Sequence, residues 1–136
     1  MIRDIGIPLQ EAVSIGGLKR GRLVAGRAGM GGLISWVDVL EIPNAEQWIR
    51  PGVFMVSSLY AFRDSPDSLP TLIRMLKRKG SAGLGVFAGE CFASIPAAAV
   101  SAADEEGFPL LELPPDLGHL DVVGPLMEAI LNRHYM

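Results

Sequence analysis

Val53-Phe54-Met55-Val56-Ser57, followed by Asp67-Ser68-Leu69-Pro70 at the head of a periodic segment reaching Lys79, and then Gly83-Leu84-Gly85-Val86-Phe87, is the stretch that decides the fold class. The first run is apolar without alternation, as in a strand covered on both faces. The middle segment carries Leu69, Leu72, Ile73 and Leu76 at i, i+3, i+4 and i+7, which predicts an amphipathic helix that Gly80 stops. In the third run Gly83 and Gly85 share one face, so a helix or a bulky neighbour can approach the backbone there. Two strands joined through a helix with short connections pair in parallel, by a right-handed crossover.

The same grammar continues toward the C-terminus. Ile95-Pro96 opens a second helix that Gly107 ends, and its last residues, Asp104-Glu105-Glu106, set negative charge against the helix dipole. That helix therefore depends on packing, which Ala97, Ala98, Ala99, Ala102 and Ala103 allow to be close. Pro109-Leu110-Leu111-Glu112-Leu113-Pro114 reads as a short third strand bracketed by prolines. A last helix runs from about His119 to Arg133, with Leu120, Val123, Leu126, Met127, Ile130 and Leu131 as its apolar stripe. Toward the N-terminus, Pro8 to Val13 forms a short helix, and Arg22-Leu23-Val24-Ala25 and Leu33 to Leu40 read as strands. The glycine-rich Gly26 to Gly32 between them predicts a wide hairpin connection. It contains neither G-x-G-x-x-G nor G-x-x-x-x-G-K-[ST], so it carries no nucleotide-loop fingerprint. The expected fold is α/β: a mixed, mostly parallel sheet with an N-terminal hairpin and flanking helices.

Composition agrees with one folded unit. The chain has 136 residues, 49% hydrophobic and 20% charged, which excludes a solvated disordered chain. A net charge of −3 has the wrong sign for a dedicated polyanion binder. A single cysteine, Cys91, rules out an intrachain disulfide and suits a reducing compartment. The first residues lack the pattern of a signal peptide, and no apolar run approaches the ~20 residues that span a bilayer. A cytoplasmic protein is expected, with no membrane partner.

Ser57, Ser58 and Cys91 are the residue types that could act as nucleophiles, with His119 and His134 as bases, but no G-x-S-x-G elbow is present. The histidines stand in no metal-ligand spacing, and Arg74, Lys77, Arg78 and Lys79 complement a helix C-terminus without needing nucleic acid. No metal and no cofactor is implied. Topology points elsewhere: ligands of open α/β sheets bind beyond the carboxyl ends of the parallel strands. Those ends are Ser57-Ser58-Leu59-Tyr60, Phe87-Ala88-Gly89-Glu90 and Leu113-Pro114. Hydroxyls, a carboxylate and two rings there suit a small, polar, planar ligand.

Several segments together resemble a known family: Leu9-Gln10-Glu11-Ala12-Val13, Leu23-Val24-Ala25-Gly26, Ile34 to Pro43, Trp48 to Ser58, Lys79 to Val86, Ile95-Pro96 and Gly107 to Pro114. Their order resembles the N-terminal domain of purine catabolism regulator-like (PucR-type) bacterial transcription factors. The resemblance implies one regulatory domain over 1–136, the detached front of a longer regulator. DNA binding would then come from a C-terminal helix-turn-helix that this chain lacks. It further implies a non-enzymatic module that senses a purine-related metabolite and self-associates; Glu41, Ser57, Ser58, Phe87 and Glu90 are the residues expected on the rim of its site. Where that family shows a Thr-Thr-Gly-like turn, this chain has Ser57-Ser58-Leu59; the hydroxyls are kept and the glycine is lost, which weighs against close backbone approach of a ligand. A looser likeness to the N-terminal domain of Mur ligases supports the fold and keeps nucleotide-like ligands open. The alternatives are a ligand-free dimerisation module built from the last helix with Trp48 or Tyr60, and a small hydrolase using Cys91 or Ser57.

Overall fold

The computed structural model describes residues 6–89 and 91–134, apart from the side chain of His134. The elements in chain order are β1 (Ile7–Pro8), α1 (Leu9–Ala12), β2 (Arg22–Ala25), β3 (Leu33–Ile34), β4 (Trp36–Val39), β5 (Val53–Ser57), α2 (Leu69–Arg78), β6 (Gly83–Phe87), α3 (Ala97–Glu106), β7 (Leu110–Leu113) and α4 (His119–His134). Five strands form one sheet in the order β2-β7-β6-β5-β4, and β1 pairs with β3 in a separate two-stranded ladder. From β4 to β7 every neighbouring pair is parallel; β2 closes the far edge antiparallel to β7. The mixed, mostly parallel sheet with flanking helices is therefore present.

Side chains alternate between two cores, one on each face of the sheet. Val53, Met55, Leu84, Val86 and Leu110 face the layer made by α2, α3 and the crossover residues Ala45 and Ile49. Phe54, Val56, Phe87, Leu111 and Leu113 face α1, α4 and the 3-10 turn at Gly16–Arg20. This two-sided burial is why β5 and β6 read as continuous apolar runs: all ten of their residues are buried. Phe54 explains the two glycines of β6. A methyl placed on Gly83 or Gly85 would lie 3.3 Å from the Phe54 ring, which occupies the space their missing side chains leave.

The expected hairpin does not form. β2 and β4 lie at opposite edges of the sheet, and the segment read as one strand over Leu33 to Leu40 breaks at Ser35, whose N–H turns to the Gly52 carbonyl at 2.8 Å. The antiparallel pair that the front of the chain does make is β1 with β3, Ile7 opposite Ile34. Gly26 is the physical reason. It has φ +78°, and a β-carbon there would lie 1.9 Å from the Phe108 carbonyl oxygen. The chain thus passes directly over the start of β7 instead of folding back on β2. Gly29 repeats the close approach against Gly107 and Pro109, so the glycines permit backbone crossing at the amino edge of the sheet.

Candidate functional site

The loops that follow β5, β6 and β7 gather at one edge, as three parallel strands require. The turn after β5 is built by its own serines. Ser57 is buried; its hydroxyl donates to the Leu40 carbonyl and accepts the Leu59 N–H at 2.9 Å. The Ser58 hydroxyl accepts the Tyr60 N–H at 3.2 Å in the same i to i+2 manner. Between them Leu59 takes a left-handed conformation, φ +61°, with its side chain buried in the α2/α3 core.

Glu41, two residues past the end of β4, holds this turn to the rest of the molecule. One oxygen, Oε2, accepts the Ser58 N–H at 2.9 Å, and the other, Oε1, accepts the Ser58 hydroxyl at 2.8 Å. The Ser57 hydroxyl lies 3.4 Å from Oε1. His119, the first residue of α4, brings Nε2 to 3.1 Å from Oε2. A carboxylate only accepts, so Nε2 carries a proton, and in the neutral ring Nδ1 is then an acceptor. The imidazole also stacks on Phe87 at the end of β6, ring centroids 4.6 Å apart and tilted by 44°. Ser58, Phe87, Ala88, Pro115, Leu117 and His119 enclose a hollow of about 170 Å³.

Glu41, Ser57, Ser58 and Phe87 are thus brought together, with Ser57 beneath the site as the builder of its turn. Glu90 lies outside the described residues, and so does the side chain of His134. Tyr60 stands apart, its exposed ring covered by the Arg63 guanidinium at 3.8 Å. Sequence reasoning weighed His119 only as a general base and did not place it here. The signal was available: a helix that follows a parallel strand begins at the carboxyl edge of the sheet.

The arrangement holds hydrogen-bonding groups around a small cavity. The Ser58 hydroxyl donates to Glu41 and not to the imidazole. Among the described residues no group of three or more His, Cys, Asp and Glu side chains is placed to hold a metal ion. A larger hollow of about 590 Å³ runs between Pro43, Glu46 and Gln47 and the outer side of α2, where Glu46 and Lys79 lie 3.8 Å apart.

Residues 11–130 match the sequence model of the Purine catabolism regulatory protein-like family. The Purine catabolism regulatory protein of Bacillus subtilis (strain 168) is 28% identical over 122 residues, which cover 90% of this chain and 23% of that protein. The chain therefore spans about a quarter of the length of the curated relative it matches.

Proposed function

The chain belongs to the purine catabolism regulatory protein-like family, a family of regulators, and on that premise we propose that it is the sensory domain of a transcription regulator, taking a small metabolite at the carboxyl edge of its sheet. The supporting observation is the convergence of Ser58, Phe87 and His119 around one hollow, with Glu41 behind them bonded to both Ser58 and His119. At about 170 Å³ this hollow lies below the range of roughly 300–1,000 Å³ usual for drug-sized ligands, so it suits a single small ring or a ligand of similar size. A planar group would stack beside Phe87 and exchange hydrogen bonds with Ser58 and the free nitrogen of His119.

Signal transmission follows from the same contacts. The His119–Glu41 bond fixes the first turn of α4 to the β4 and β5 loops. A ligand that binds better when this bond is remade shifts the position of α4, and only that difference in affinity can drive the change. In this reading the domain performs no catalysis and works in the cytoplasm, and DNA is bound by another part of the regulator. Among the described residues no helix is long and apolar enough to cross a membrane.

The test is thermal unfolding of the chain against purines, ureides and nucleotides. A ligand of the native state raises the midpoint, and Glu41→Gln and His119→Ala abolish the rise. No rise from any compound, or a rise that both variants retain, overturns the reading.

A second reading, a self-association module without a ligand, is favoured by exposed apolar side chains. Leu120 on α4 is 81% exposed and Trp48 60%. A midpoint that climbs with protein concentration and ignores the metabolite panel supports it.

A further inference from the structure

We propose that the crevice between the ends of β6 and β7 is an anion site, in which Arg20 and Arg22 grip the carboxylate or phosphate of a small ligand. The inference stands independently of the hollow at Glu41. The connection after β6 leads to α3 on one face of the sheet, and the connection after β7 leads to α4 on the other. Where neighbouring parallel strands send their loops to opposite faces, a crevice opens outside their carboxyl ends, and this is where α/β sheets take ligands. Here it is a hollow of about 420 Å³, walled by Ala88, Gly89, Ala93, Leu113, Pro114 and Pro115, with both arginines on its rim and the Glu112 carboxylate beside Arg22.

Local sequence explains why the arginines meet there. Arg20 ends the 3-10 turn and Arg22 begins β2, separated by the extended Gly21, and both side chains line the crevice. A methyl on Gly21 would lie 2.9 Å from the Leu113 side chain, so the glycine seats this segment against the end of β7. Each guanidinium uses a single contact from one terminal nitrogen: Arg20 to Asp116 Oδ1 at 3.0 Å, Arg22 to Glu112 Oε2 at 3.0 Å. Both arginine side chains are more than half exposed. A guanidinium offers five donors in a planar fork that matches two oxygens of one anion, and single contacts leave most of that capacity unused. Asp116 and Glu112 occupy the positions that ligand oxygens would take. The remaining lining is apolar or proline, so specificity for the charged end rests on the two arginines.

The experiment titrates the chain with inorganic phosphate and, separately, with malonate at ionic strength held constant with sodium chloride, following amide shifts and the unfolding midpoint. Saturable shifts at Arg20, Arg22, Gly89 and Ala93 are expected. Arg20→Gln and Arg22→Gln each weaken binding by about tenfold, the loss of one charge-assisted pair. Asp116→Asn frees Arg20 and tightens it, a change that a purely structural role for Asp116 would not produce. Response to phosphate alone or to malonate alone supports the site and identifies the charged group. The proposal fails if neither anion gives saturable shifts, or if the arginine variants, folded by circular dichroism, respond as the parent does.

Discussion

Leu59 shows how one residue carries two opposing terms. Its left-handed φ of +61° costs an L-residue about 1 kcal/mol, while its buried side chain contributes about 2–5 kcal/mol against truncation. Leu59→Ala keeps the backbone cost and loses the side chain; Leu59→Gly loses the side chain and relieves the backbone. Urea denaturation should rank the parent above Leu59→Gly, and Leu59→Gly above Leu59→Ala by about 1 kcal/mol, the reverse of the usual order of glycine and alanine. Position 59 has the positive φ that glycine adopts without steric cost; the sequence reading notes that Leu59 stands where a Thr-Thr-Gly-like turn would place a glycine. It could not show that the lost glycine is offset by a leucine plugging the α2/α3 core. Gly26 is the stricter case. With φ +78° and Phe108 oxygen 1.9 Å from any added β-carbon, Gly26→Ala should cost more than about 3 kcal/mol or prevent folding, as read by the denaturation midpoint.

Among the elements, α3 was legible as a helix and its weakness was legible too. Its acidic C-terminal end opposes the dipole, and the structure shows how the charges are used. Asp104 accepts the Gly26 N–H at 2.8 Å, and Glu105 lies 3.6 Å from Arg74 on α2. Asp104→Asn keeps an acceptor for Gly26 and removes the opposing charge, so stability should stay level or rise by about 0.5 kcal/mol. Asp104→Ala strands the N–H and should lose about 1–2 kcal/mol; the two variants separate in the same denaturation experiment. In β5 and β6 the pairing of Phe54 with Gly83 and Gly85 predicts that Phe54→Ala costs about 3–5 kcal/mol, since neither glycine has a side chain to move into its place. The helical and buried-strand assignments held because their periods are long or unbroken. The front of the chain did not follow its local signals. A glycine-rich stretch between two apolar runs has the same composition whether it turns back on itself or crosses beneath another strand.

For the molecule as a whole, the parallel strands β5, β6 and β7 gather the loops that follow them at one edge, which alternation in the sequence anticipates; that β4 joins them in parallel and brings Glu41 there, and that α4 brings His119, came from the tertiary structure. If Trp48 and Leu120 serve self-association, analytical ultracentrifugation should show weight-average mass rising with concentration, and Trp48→Ser with Leu120→Ser should flatten that rise without lowering the dilute-limit midpoint. An unchanged mass in the parent would assign these side chains to ordinary surface.

Periodicity, chain breaks and charge are properties of neighbouring residues, so the sequence by itself determined the strand and helix segments after residue 50, the edge where the loops after β5, β6 and β7 gather, and the family. Tertiary structure alone decided that β2 crosses to the far side of β7, that α4 takes the opposite face from α2 and α3, and that His119 reaches Glu41 while Arg20 and Arg22 close on the β6–β7 crevice. Those facts depend on which backbone can approach which, as at Gly26 over Phe108 and Gly21 over Leu113. Such approaches join residues far apart along the chain, and a local pattern holds no record of them.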